Sequence, residues 1–134
     1  MENEVRISIN SDQDIVTARQ QGRTLASKLG FNGSDLTVIA TAISEVARNI
    51  VEFAGKGEIA LTPIHQGPKQ GVMVVAHDEG PGIPNIQLAL QDGFSTTASL
   101  GLGLPGSRRL MDEFTIVSAV GKGTTVTMKK WVRG

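Results

Sequence analysis

The sequence has no cysteine and no net charge, with 13 Lys plus Arg set against 13 Asp plus Glu. The first absence removes disulfide staples and thiolate chemistry. The second argues against nucleic-acid and polybasic membrane roles, both of which need an excess of Lys and Arg. No apolar run approaches the roughly 18 residues of a membrane span. The opening "MENEVRISIN" is charged and lacks the apolar core of a secretory leader. Two histidines among scattered carboxylates make no zinc-type ligand set. Internal repeats and low-complexity segments are missing too. The expectation is therefore a cytoplasmic globular protein, one domain over 1–134, burying roughly two-thirds of its unfolded surface.

Periodicity supplies the elements. "EVRISIN" (4–10) alternates, with Val5, Ile7 and Ile9 on one face, and reads as a strand. Ser11 or Asp12 caps a helix over Gln13 to Leu29, which Gly30 ends. Ser34 opens a second helix, with Leu36, Ile39, Ala40, Ile43, Ala47, Ile50, Val51 and Ala54 at helical spacing before Gly55 and Gly57 stop it. "EIALTPIH" (58–65) and "GVMVVAHD" (71–78) form a hairpin. After the turn cluster "EGPGIP" the pattern weakens as far as Leu100. A third helix is expected from Leu104 to Glu113, with Pro105 in its first turn. "FTIVSAV" (114–120) and "TTVTMKKWV" (124–132) make a final hairpin around "GKG". Hairpins for strands and a block of helices predict an α+β fold. It is a two-layer sandwich, with a mixed sheet of about five strands covered on one face by about three helices.

Three places carry polar residues where chemistry is plausible. Glu45 and Asn49 lie four apart on the second helix and so share one face, bordered by Arg48 and Glu52. A solvated stripe with an Arg48–Glu52 pair explains them. So does a catalytic pair, in which the carboxylate accepts a hydroxyl proton and the amide oxygen suits Mg²⁺. Asp78 ends an apolar strand and precedes Gly80 and Gly82. It fits a simple Asx-turn. It equally fits a hydrogen-bond acceptor for an exocyclic amine, with the glycines letting a flat ring approach. His77, one residue earlier, points to the opposite face and is read as structural.

"GLGLPG" (101–106) spells G-x-G-x-x-G. A dinucleotide fingerprint would need a buried strand leading into it, and the polar "DGFSTTAS" precedes it instead. The chain also lacks the H-R-D and D-F-G motifs of eukaryotic-type kinases, and no Lys-Ser/Thr pair follows to make a P-loop.

Glu-x-x-x-Asn on a helix, Asp-x-Gly-x-Gly after a strand and a later Gly-x-Gly opening a helix resemble, in that order, the GHKL ATPase superfamily. Its members include gyrase, Hsp90, histidine kinases and MutL. Through "SEVARNIVEFAGKGEI", "DEGPGI", "GFSTTASLGLGLPGSRRLMDEF" and "GKGTTV" the whole chain is similar to the small bacterial serine/threonine kinases of the anti-sigma, partner-switching type, stressosome kinases especially. The resemblance implies the Bergerat fold, ATP and Mg²⁺ as cofactors, and Glu45 as the general base. It implies that Asn49 holds Mg²⁺, that Asp78 bonds the adenine amino group with Gly80, Gly82 and Ile83 around the ring, and that Thr124 supports the adenine through water. An ATP lid would span about 85–100, with Thr97 offering a hydroxyl. Gly101, Leu102, Gly103 and Leu104 would meet the phosphates at the start of a helix.

The implied activity is ATP-dependent phosphorylation of STAS-domain proteins of a stressosome, followed by binding and activation of a PP2C-type phosphatase. Related kinases form homodimers, although no residue here marks a dimer face. Two rival readings are a nucleotide-gated anti-sigma binding module and a detached histidine-kinase catalytic domain. One departure stands out: histidine kinases often place a lysine three residues after the helix asparagine, where this chain has Glu52. Positive charge at the γ-phosphate then falls to Mg²⁺, Lys56 or a partner. Arg108, Arg109, Lys129, Lys130 and Arg133 are read as solvated or as part of a partner surface.

Overall fold

Residues 4–80 and 110–133 are described in a computed structural model. The alternating start forms β1 (Val5–Ile9), and two helices follow, α1 (Asp12–Leu29) and α2 (Gly33–Asn49). A short π-helical turn continues α2 over Ile50–Ala54. The remaining strands are β2 (Gly57–Gln66), β3 (Lys69–Asp78), β4 (Glu113–Ala119) and β5 (Gly123–Trp131).

Local chemistry sets the helix ends. Ser11 is the N-cap of α1, but the backbone N–H of Asn10 finds its acceptor in the Asp14 carboxylate at 2.8 Å. Gly30 closes α1 at φ 99°, donating to the carbonyls of Ala26 and Ser27, as a left-handed C-cap does. The second helix begins earlier than Ser34. Asn32 caps it, its side chain accepting the Asp35 N–H at 2.8 Å, and Asn is among the strongest N-cap residues. Helical periodicity does run on to Ala54, but the last five residues change to π geometry, which a hydrophobic pattern does not reveal.

The sheet order is β1-β2-β3-β5-β4. Every pair in it is antiparallel, which corrects the expectation of a mixed sheet. The reason is topological. Two helices between β1 and β2 return the chain to the end it left, so β2 runs back beside β1. Strands β3 and β4 do run in the same direction, but β5 lies between them. The β2–β3 hairpin turns in two residues, Gly67 at φ 61° and then Pro68.

The helices cover one face. Ile9, Ile39, Ile43, Ile59, Leu61, Val72, Val74 and Met128 are fully buried between the layers. Gly22 sits mid-helix, at a cost of about 1 kcal/mol relative to alanine. A Cβ there would strike Ile43 Cδ1, so the glycine lets α1 and α2 approach closely.

Of the expected third helix only its end falls among the described residues. Leu110 is helical, but Glu113 already pairs with Lys129 as the first residue of β4, so the helix stops short of Glu113. Asp112 explains the stop. Its N–H donates to the Lys129 carbonyl, and its carboxylate takes the Trp131 N–H at 2.8 Å and the Arg133 guanidinium at 3.0 Å. Lys130 is not solvated. It is 5 % exposed, with its ammonium on the Leu110 carbonyl at 3.2 Å and near Asp112. Lys129 pairs with Glu113. Arg108 and Arg109 lie outside the described residues.

Candidate functional site

Strand alternation and register together put one row of side chains across the end of the helix-covered face: Ile9, Gly57, Asp78, Thr124 and Ser118. Asp78 holds the middle of that row. Its Oδ1 accepts the Gly80 N–H at 2.9 Å, so the Asx-turn is present. The second carboxylate oxygen has no partner among the described residues. His77 faces the opposite side, where its Nδ1 lies 2.7 Å from Thr125 Oγ1.

Glycines crowd Asp78 on three sides. A Cβ on Gly57 would meet the His77 carbonyl and Ile50 Cγ2, and one on Gly80 would lie 2.6 Å from Ala54 Cβ. Gly123 has φ 90°, and a Cβ there would meet the Asp78 carbonyl and come within 2.7 Å of Glu79 Cα. Only a residue without a side chain allows such approaches of backbone to backbone.

Two of those contacts join the helix layer to Asp78. Ile50 and Ala54 open and close the π turn, whose hydrogen bond runs from the Gly55 N–H to the Ile50 carbonyl at 2.9 Å. One end of the turn packs against Gly57 and the other against Gly80. The helix that carries Glu45 and Asn49 therefore runs into a turn that packs beside the strand terminus bearing Asp78.

Within that face, Glu45 and Asn49 are both partly buried. The Asn49 side chain makes no hydrogen bond among the described residues. Glu45 Oε1 takes a hydrogen bond from Arg48 Nη1 at 3.2 Å. The pairing therefore differs from the Arg48–Glu52 pair read from spacing. The change to π geometry after Asn49 turns Glu52 off the i,i+4 line, and Glu52 is exposed without an ion pair among the described residues.

Thr124 Oγ1 lies 2.8 Å from Ser118 Oγ, which also donates to the Gly123 carbonyl at 3.1 Å. Beside Asp78 an open groove of about 480 Å³ is lined by Ser8, Asn10, Lys56, Glu58, His77 and Glu79. Lys56 is thus at the rim of a groove that opens on the His77 side of the strand end.

Asp78, Gly80 and Thr124 are accordingly gathered at one end of the sheet, while Glu45 and Asn49 share a partly buried face of α2 just before the π turn. Gly82, Ile83, Thr97, Gly101, Leu102, Gly103 and Leu104, with the expected lid at 85–100, lie outside the described residues. Sequence reasoning missed Gly57, Gly123 and Ser118. The first and second were visible as glycines flanking strands, but what they touch comes from distant parts of the chain.

The sequence model of the histidine kinase-like ATPase domain matches residues 9–130. The chain belongs to that family. Among histidine kinase-like ATPase domains it is 50 % identical, over 95 % of its own length and 96 % of the relative's, to the serine/threonine-protein kinase RsbT of Bacillus subtilis (strain 168). It is 32 % identical to the anti-sigma F factor of Geobacillus sp. (strain WCH70), over 98 % of this chain and 94 % of that one. These relatives make it a GHKL serine/threonine protein kinase of the anti-sigma, partner-switching type.

Solved structures agree on the fold. The RsbU and RsbW domains of Rv1364c from Mycobacterium tuberculosis superpose with a TM-score of 0.66 at 23 % identity, over 98 % of this chain. The chain spans 33 % of that longer protein. The mycobacterial sensor histidine kinase MprB superposes at a TM-score of 0.58 and 20 % identity, covering 96 % of this chain and 99 % of that one.

Proposed function

We propose that the chain phosphorylates a serine or threonine of STAS-domain proteins in a stressosome and, once released, binds and activates a PP2C-type phosphatase. It would act in the cytoplasm on ATP with Mg²⁺. The observation that supports the reading is the π turn, which follows Asn49 directly and packs against Gly57 and Gly80, the neighbours of Asp78.

The residues present fit a nucleotide. Gly57, Gly80 and Gly123 let backbone from three segments close in on Asp78 and so fix its position. An unpartnered carboxylate oxygen on Asp78 suits the adenine amino group. The unbonded amide oxygen of Asn49 is a neutral hard donor of the kind Mg²⁺ accepts alongside water and phosphate oxygens. When bound, Mg-ATP supplies the phosphoryl group and the means of neutralising its charge. Everything else is positioning, which is most of what phosphoryl transfer asks of a protein.

Each residue then has a distinct task. Glu45 takes the proton of the acceptor hydroxyl. Asp78 fixes the base end of the nucleotide, and Thr124, held by Ser118, supports it through water. Gly82 and Ile83 belong with the adenine in this reading, and Thr97 with the Gly101–Leu104 stretch belongs with the phosphates.

The test is transfer of labelled phosphate from ATP to a purified STAS-domain protein. Glu45→Ala is expected to lower the rate by roughly 100-fold or more, the usual contribution of a general base. Full labelling by this variant would remove Glu45 from that role. The product should survive acid, because phosphoserine and phosphothreonine do and phosphohistidine does not. An acid-labile product would favour the histidine-kinase alternative.

A second reading has its own support in the anti-sigma F factor relatives. The chain would then switch partners through nucleotide occupancy, with phosphorylation secondary. Asp78→Asn separates the two. Under the switching reading the variant loses phosphatase binding together with transfer, whereas loss of transfer alone makes phosphatase binding independent of the nucleotide.

A further inference from the structure

Arg48 had two carboxylates within helical reach, Glu45 one turn before it and Glu52 one turn after. Among the described residues it pairs with Glu45 alone: Nη1 lies 3.2 Å from Oε1. The reason is conformational. From Ile50 onward the backbone is π-helical, so Glu52 leaves the line along which i and i+4 side chains meet. The same turn that packs against Asp78 therefore leaves Arg48 to the carboxylate on the other side. Both side chains are partly exposed, 43 % for Arg48 and 33 % for Glu45, and exposed pairs of this kind contribute little to folding.

A glutamate at such a position would otherwise spread over many rotamers. With Oε1 held by the guanidinium, Oε2 is left without a partner among the described residues. We infer that Arg48 is the positioning residue for Glu45, holding Oε1 so that Oε2 is the atom presented to the acceptor hydroxyl. This rests on the reading of Glu45 as the base. Oε2 takes the hydroxyl proton while the hydroxyl oxygen bonds to the γ-phosphorus, and the electron pair of the breaking P–O bond departs with ADP. Arg48 touches neither substrate nor nucleotide in this scheme. Lysine at position 48 could still reach Oε1 as a point charge, although without the planar fork that fixes its direction.

The experiment uses the full chain, labelled ATP and a purified STAS-domain acceptor, with ADP affinity measured by calorimetry. Arg48→Ala is expected to lower kcat by roughly 10- to 100-fold, the scale on which misplacing a reacting group acts. KM for ATP and the affinity for ADP should stay within about twofold, since binding is not what Arg48 serves. Arg48→Lys should recover part of the loss. In a Glu45→Gln background, Arg48→Ala should cost nothing more, because there is no base left to place. Unchanged kcat in Arg48→Ala overturns the inference. So does an equal loss in both backgrounds, or a loss of ADP affinity instead of turnover. Full activity in Glu45→Gln by itself would instead sink the assignment of the base, so the two failures are told apart.

Discussion

Two adjacent rows on the helix-covered face of the sheet differ in kind. One runs Ile7, Ile59, Ala76, Val126, Ile116, and the next, two residues along each strand, runs Ile9, Gly57, Asp78, Thr124, Ser118. They share strands, register and the same covering layer. The first is built for burial, with Ile59 fully enclosed and Val126 and Ala76 nearly so. In the second, four of the five positions are glycine or polar, and the contacts that fill it come from backbone and from the π turn. The lesson is that withholding side chains from the last row of a well-packed sheet lets backbone and the π turn close in around one aspartate. The inner row supplies the rigidity, and the outer row supplies the hydrogen-bonding groups.

Changes in each row should therefore separate stability from binding. The largest effect is expected for Ile59→Ala. Removing a fully buried isoleucine leaves a cavity and should cost about 4 kcal/mol in urea or guanidinium unfolding. Nucleotide affinity of the folded fraction should be close to that of the unmodified chain. Loss of binding by well-folded Ile59→Ala protein would show that the two rows are not separable.

Gly123→Ala comes next and should affect both properties. The residue has φ 90°, and a Cβ there meets the Asp78 carbonyl, so backbone strain adds to a collision. A loss of about 3 kcal/mol is expected from a change with two such named faults. The strand end that carries Asp78 should shift with it, so calorimetry should show weaker nucleotide binding as well. An alanine accepted there without cost to either would mean that β5 does not define the site.

Thr124→Val is the mildest. It removes the hydroxyl bonded to Ser118 and should cost about 1 kcal/mol of stability, the usual net value of one hydrogen bond. Under the proposed role of Thr124, nucleotide affinity should fall by roughly 10-fold, a similar free energy expressed in binding. A variant that loses stability and keeps full affinity would make Thr124 part of the scaffold.

Much of this was legible beforehand, for reasons that lie in short-range chemistry. Alternation in "EVRISIN" marks a strand because side chains on a strand have a period of two, and "GVMVVAHD" marks another as a short apolar run between turn residues. Gly30 and Gly55 mark helix ends because each stops the chain at positive φ. Glu45 and Asn49 share a face wherever that helix lies. What could not be read was anything that depends on which segments meet. The cap at Asn32 competes with Ser34 on equal propensity, and only the folded turn chooses. The π turn leaves no periodic trace. Lys130 looks like a surface charge in "TMKKWV" and is buried because Leu110 and Asp112 come to it from the neighbouring segment.

By itself, then, the sequence determined the strands, the helices α1 and α2, the direction in which each buries its apolar side, and the order of motifs that marks the family. Those follow from interactions between residues a few positions apart. The tertiary structure alone decided that the sheet is antiparallel throughout, that Gly57, Gly80 and Gly123 converge on Asp78, and that Arg48 turns to Glu45. Each of these is a contact or pairing set by how whole elements pack, and packing is settled by the shapes of both partners at once.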